Sequence, residues 1–130
     1  MSKRELATFA APPVKVLCFK LYITYGLENP IFNLCTFVTN KWSKCSEKNY
    51  DNTGVKIRAE TSEFIMSAIE EDGILWKYKC VNIEGSDLSS SDENIFIENV
   101  LNICRDLKVE LSLKELILEF FYRESQKYKV

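Results

Sequence analysis

A chain of 130 residues with 46% apolar and 28% charged residues has the make-up of one globular domain, residues 1–130, far from the composition of disorder. Its 17 Lys and Arg against 19 Asp and Glu leave a net charge of −2, which argues against reliance on nucleic-acid phosphates for affinity. Histidine is absent, which excludes imidazole acid–base chemistry, Ser-His-Asp and Cys-His nucleophile pairs and His-containing zinc sites.

The charge is uneven. Residues 1–82 hold 11 basic against 9 acidic side chains, and residues 83–130 hold 6 against 10. A nucleic-acid face, if present, belongs to the N-terminal part. The five cysteines, Cys18, Cys35, Cys45, Cys80 and Cys104, are odd in number and widely spaced, with no C-x-x-C. This predicts reduced thiols in a reducing compartment, cytoplasmic or nuclear. Cys45, between Lys44 and Ser46, is expected to be the most exposed thiol. Met1–Ala11 is too short and interrupted for a signal-peptide core, and no apolar run reaches the ~20 residues of a membrane helix, so no membrane association is expected.

In chain order, Pro12-Pro13 sets the following residues extended. Val14 to Tyr25 reads as a strand, with Leu17, Phe19, Leu21, Ile23 and Tyr25 on one face. Asn29-Pro30 reads as a helix start, with apolar spacing at Ile31, Leu34, Cys35, Val38 and Trp42 predicting a helix to Lys44. Ser43 to Gly54 reads as a polar loop. Val55, Ile57 and Ala59 alternate with Lys56 and Arg58 as a short strand. Residues 61–72 fit either a helix capped by Thr61 or one arm of a hairpin, in which Asp72-Gly73 supplies the turn into a strand over Ile74–Val81. The hairpin is the preferred reading.

Residues 84–90 read as a linker, with three consecutive serines at its end. Residues 91–128 then read as a helical hairpin, from two capping boxes, Ser90 with Glu93 and Ser112 with Glu115. The expected fold class is α+β: a small mixed sheet with one crossing helix over residues 5–82, β-grasp-like in outline, followed by the C-terminal helical hairpin.

No residue cluster spells out a chemistry. The apolar surface of the last predicted helix, Leu113, Leu116, Ile117, Phe120 and Phe121, covers more of its circumference than one sheet face would bury. This favours a non-catalytic protein-interaction module or complex subunit that binds another protein, or a second copy of itself, in helix-in-groove fashion. The alternative is a nucleic-acid-binding domain that stacks bases on Trp76 and Tyr78, with Lys56, Arg58, Lys77 and Lys79 at the backbone. Ser89 and Ser90, followed by Asp92 and Glu93, have the spacing of phosphorylation sites, and the apolar tail Tyr128-Lys129-Val130 has the form of a groove-binding C-terminus. A small enzyme built on carboxylates such as Glu60, Glu63, Glu70, Glu71 and Asp72 ranks last. No cofactor and no metal is implied.

Overall fold

Val14 to Gly26 alternates apolar residues with lysine, β-branched and aromatic ones, a pattern that suits a pleated strand with one buried face. In the computed structural model, which describes residues 8–9, 12–26, 33–88, 92–126 and 128–129, this segment is strand β2 (Val14–Gly26). Leu17, Phe19, Leu21 and Ile23 are all buried on one face, as the alternation requires. Strand β1 (Thr8–Phe9) precedes it. Helix α1 (Leu34–Thr53), strands β3 (Glu60–Ile69) and β4 (Leu75–Ser86), helix α2 (Glu93–Glu110), and strands β5 (Ile117–Ser125) and β6 (Tyr128–Lys129) follow.

Four strands form one antiparallel sheet in the order β3-β4-β2-β5, while β1 and β6 pair separately. From β2 to β5 the chain runs strand, helix, strand, strand, helix, strand, and β4 lies between β2 and β3. This is the split β-α-β arrangement, an α+β fold with one helix crossing from β2 to β3. Both helices lie on the same face. Leu34, Val38, Trp42 and Cys45 of α1 and Phe96, Val100, Ile103 and Leu107 of α2 join Leu17, Phe19, Leu21, Ile23, Val81 and Ile83 in one core. No helix among the described residues is long and apolar enough to cross a membrane.

The helix ends are tied from elsewhere in the chain. At the start of α1, Asn33 is left-handed (φ 53°) and its side chain caps nothing. Glu63 of β3 takes over that role, accepting a hydrogen bond from the Cys35 N–H at 3.3 Å and bringing a carboxylate to the positive end of the helix. Gly54, at φ 75°, closes α1 by donating its N–H to the Tyr50 carbonyl at 2.7 Å. Asp92 caps α2 by accepting from the Asn94 N–H at 2.9 Å. Between the helices, the buried Asn49 amide donates to Asn99 Oδ1 at 2.9 Å. Glu110 holds Lys44 and Lys41 of α1 at 3.0 and 3.3 Å.

Several expectations need correction. The sheet is antiparallel rather than mixed, and its strand order is not that of a β-grasp. Residues 43–53 are not a loop: Cys45 and Asn49 continue the buried stripe of α1, so the helix runs on until Gly54 stops it. Cys45 is accordingly buried, and Cys35 is the one partly exposed thiol of the five, all of which are free. Val55, Ile57 and Ala59 do turn inward against the core, but their segment pairs with no strand. The hairpin reading of residues 61–81 holds, with Gly73 at φ 76° in the turn between β3 and β4. Residues 84–86 belong to β4 rather than to a linker. The Asn29-Pro30 helix start and the Ser90 cap lie outside the described residues.

The largest correction is at the C-terminus. Only α2 of the predicted helical hairpin is a helix; Ile117–Ser125 is strand β5, paired along β2 from Val14↔Ser125 to Tyr22↔Ile117. Ser112, expected to cap a helix, sits at φ 53° in the turn after α2. An apolar stretch as dense as Ile117–Tyr122, broken only by Glu119, fits a strand or a buried helix by periodicity alone. Its β-branched and aromatic residues, and the open edge of β2, settle it as strand.

β5 therefore has two faces. Leu118 and Phe120 pack on the core, and Phe120 meets Phe96 edge-on with ring centroids 6.5 Å apart. Ile117 and Phe121 point to the other side of the sheet. Phe120→Asp should cost about 3 kcal/mol or more, because it buries a charge against the core. Phe121→Asp should cost no more than about 1 kcal/mol. Urea unfolding that shifts the midpoint equally for both would contradict this placement.

Glu110 generates a pH prediction. Hydrogen bonds from Lys44 and then Lys41 hold its carboxyl below the ordinary carboxylate range. A lowered folded-state value means a contribution that is complete above about pH 4.3 and is lost as the pH falls through the lowered value. Glu110→Gln should therefore be less stable than the wild type near neutrality and lose less stability between about pH 5 and about pH 3. Parallel stability–pH curves for the two proteins would refute it.

Candidate active site

The sheet face turned away from the helices carries the polar residues of the strands. Directly opposed residues share a face, so the register defines rows of side chains across it. Glu60 lies opposite Glu84, Glu84 opposite Lys20, and Lys20 opposite Glu119. One row thus runs Glu60, Glu84, Lys20, Glu119 across all four strands, three carboxylates with one ammonium. Lys20 Nζ is 3.4 Å from Glu84 Oε1 and 5.3 Å from the centre of the Tyr22 ring. Glu60 has no ion pair among the described residues. On one side the next row is Ser62, Asn82, Tyr22 and Ile117; on the other it is Ser86, Cys18 and Phe121. Asn82 Oδ1 is buried without a hydrogen-bond partner among the described residues.

A cavity of about 440 Å³ opens where β4 ends and β3 begins. Glu60, Glu84, Ser86, Cys18, Phe121 and Arg123 line it from the open face, Arg58 and Ala59 from the segment before β3, and Gly85 and Phe19 at its base. Cys18 Sγ and Ser86 Oγ are 3.4 Å apart in its wall. The Arg123 guanidinium lies 5.9 Å from the centre of the Phe121 ring. Arg58 makes no ion pair among the described residues and also borders two neighbouring cavities. The cavity thus offers two guanidinium groups, two opposed carboxylates, an aromatic face and a hydroxyl. Its size is that of a small-molecule site. Among the described residues no group of three potential metal ligands comes together.

The structure disperses most of the residues singled out in the sequence. Leu113, Leu116 and Phe120 are partly buried against the core, whereas Ile117 and Phe121 lie on the open face, so the five do not share a surface. Trp76 lies in β4, but its side chain is outside the described residues. Tyr78 shares the open face with Cys80 and Asn82 and donates its hydroxyl to Glu70 Oε1 at 2.8 Å. Lys77 and Lys79 point to the opposite face, where Lys79 lies 3.8 Å from Glu63. Lys56 stands over the Tyr50 ring at 5.5 Å, away from the sheet. The aromatic and basic residues of the nucleic-acid reading therefore do not converge. Ser89, Ser90 and Val130 lie outside the described residues.

Of the carboxylates, Glu60 reaches the cavity. Glu63 serves the start of α1, and Asp72 accepts from the Ile74 N–H at 2.9 Å within the hairpin turn. Glu84, Lys20, Glu119 and Arg123 were not singled out in the sequence. They are far apart along the chain, and strand register alone joins them.

No family model and no curated protein matches this sequence. Among solved structures, a phage SAM lyase in complex with S-methyl-5'-thioadenosine aligns with a TM-score of 0.57 at 13% identity, over 86% of this chain and 90% of that one. The same phage enzyme in its apo state aligns at 0.55 and 12% identity, over 87% and 90%. Likeness at this identity shows a shared fold. The expectation of a non-catalytic chain is corrected on this finding, since these two structures, which match over most of both chains, show its fold in an enzyme.

Proposed function

We propose that this chain is a small enzyme that cleaves a carbon–sulfur bond in a sulfonium nucleoside of the S-adenosylmethionine class, using the cavity at the ends of β3 and β4. The observation that carries the reading is the direct opposition of Glu60 and Glu84 in the wall of that cavity. Like charges facing each other across strands are destabilising. Lys20 offsets only part of this, and a bound sulfonium cation would offset more. The aromatic face of Phe121 suits an adenine ring, and Arg58 and Arg123 suit the carboxylate of an amino-acid moiety. The shared fold with a SAM lyase supports the same substrate class.

The chemistry suits a chain without histidine. A sulfonium leaves as a neutral thioether, with sulfur keeping both electrons of the broken bond, so the leaving group needs no proton donor. What remains is the carbon side: a base takes a proton from the carbon next to the one that loses sulfur, and the C–H electrons form a C=C bond as the C–S bond breaks. Glu60, free of ion pairs among the described residues, takes the role of base, and Glu84 with its Lys20 partner helps to bind the sulfonium cation on entry.

The test is incubation of the purified protein with S-adenosylmethionine, with S-methyl-5'-thioadenosine measured by chromatography. Release should be catalytic, Glu60→Gln should slow it about 100-fold or more, and Arg123→Ala should act mainly on KM. Absence of release, together with absence of thioether binding by calorimetry, would sink the reading.

A further inference from the structure

In the hairpin of β3 and β4, strand β3 carries exposed apolar residues on both of its faces. Phe64 and Met66 on the open face are each 43% exposed, and Ile65 and Ile69 on the helix side are 62% and 75% exposed. Ile74 and Leu75 at the tip are exposed as well. β3 is also an edge of the sheet. Edge strands are ordinarily guarded by charges, proline or a bulge. The opposite edge, β5, has Glu119, Arg123 and Glu124. β3 has no charge, proline or glycine from Phe64 to Ile69, and its register with β4 is unbroken. Six consecutive uncharged residues rich in β-formers are the mark of a segment that pairs with copies of itself.

We infer that β3 pairs antiparallel with β3 of a second copy of this chain, about a two-fold axis at Ile65, to give one continuous sheet. The backbone selects this register. The Glu70 N–H donates to the Ile74 carbonyl at 3.2 Å, so the even-numbered residues of β3 bond to β4. By alternation Thr61, Glu63, Ile65, Ser67 and Ile69 turn their N–H and C=O groups outward. A two-fold at Ile65 sets Ile65 against itself, Glu63 against the second copy's Ser67, and Thr61 against the second copy's Ile69. All five outward residues then find partners within the strand. The side chains agree with the backbone within the strand, where Phe64 meets the second copy's Met66 and Glu63 the second copy's Ser67; the like charges that face each other, Glu60 and the second copy's Glu70, lie at the two ends of the ladder. In-register parallel pairing would instead stack Glu60, Glu63 and Glu70 each on its own copy, with one of these like-charge pairs inside the strand, which is less favourable.

The experiment is light scattering on a dilution series, combined with amide hydrogen exchange read by NMR. The wild type should have twice the mass of the 15.1 kDa chain, with the Ile65, Ser67 and Ile69 amides protected. Ile65→Lys places two ammonium groups on the axis and should give a folded monomer in which that protection is lost. Ser67→Pro removes an outward N–H without touching the β3–β4 ladder and should do the same, which keeps the test decisive if the first variant fails to fold. Ile117→Lys, on the far edge, should remain a dimer. A wild type that is monomeric throughout, a dimer whose Ile65 and Ser67 amides exchange freely, or a Ser67→Pro protein that stays dimeric would each overturn the inference.

Discussion

The ring of Phe19 connects all the layers of this fold. It leaves the central strand β2 and stacks on Trp42 of α1, with centroids 5.6 Å apart and planes at 22°. It also lies 6.0 Å from Phe96 of α2, which in turn meets Phe120 of β5. One ring each from the central strand, both helices and the edge strand therefore share a single cluster. Aromatic pairs of this kind contribute about 0.5–1.5 kcal/mol each beyond the area they bury. The ring fits because its cross-strand partner on β4 is Gly85. A Cβ there would come within 2.5 Å of the Phe19 ring and would also collide with the Arg58 carbonyl. Gly85 is thus required by close approach rather than by an unusual dihedral.

That close approach couples the core to the cavity. Gly85 and Phe19 form the cavity's base, and the Arg58 backbone against Gly85 brings the segment before β3 over the end of β4. This places Arg58 beside Glu60 and Glu84. The two faces of the sheet follow different rules. On the helix side, apolar rows face apolar helix stripes and local preference agrees with the fold. On the open side, two carboxylates face each other and a buried amide oxygen, that of Asn82, lacks a partner among the described residues. A repulsion of this kind costs of order 1 kcal/mol at a well-solvated surface. Natural sequences tend to break local rules of this sort at functional sites.

Legibility in the sequence followed locality. β2 is readable because one strand's alternation is visible within a dozen residues, and Leu17, Phe19, Leu21 and Ile23 of the expected inward face are buried. The β3–β4 hairpin is half legible: a left-handed position at Gly73 suits a hairpin turn and equally the end of a helix over residues 61–72, so the sequence prefers the hairpin without excluding the helix. α1 was cut short because residues 43–53 are polar overall, although Cys45 and Asn49 carry the stripe forward on the buried side. The exposed-thiol reading of Cys45 failed for the same reason: its sequence neighbours are polar, but its neighbours in space are the core. β5 is misread because Leu116–Tyr122 is apolar at every position but Glu119, and a stretch so dense carries apolar residues on both faces of either element and shows no clear period.

The sequence by itself determined the α+β class, the inward face of β2 and α2, because each is written in residues that are neighbours along the chain; between hairpin and helix for residues 61–72 it only preferred the hairpin. It also excluded histidine chemistry outright. The tertiary structure alone decided that the C-terminal apolar run is a strand, since that depended on the vacant edge of β2, about a hundred positions earlier. It alone decided the row of Glu60, Glu84, Lys20 and Glu119. A one-residue shift in any pairing would send a strand's side chains to the other face. The candidate site is a product of register, and register is fixed by the packing of Phe19, the helices and the sheet together, not by any stretch of chain taken alone.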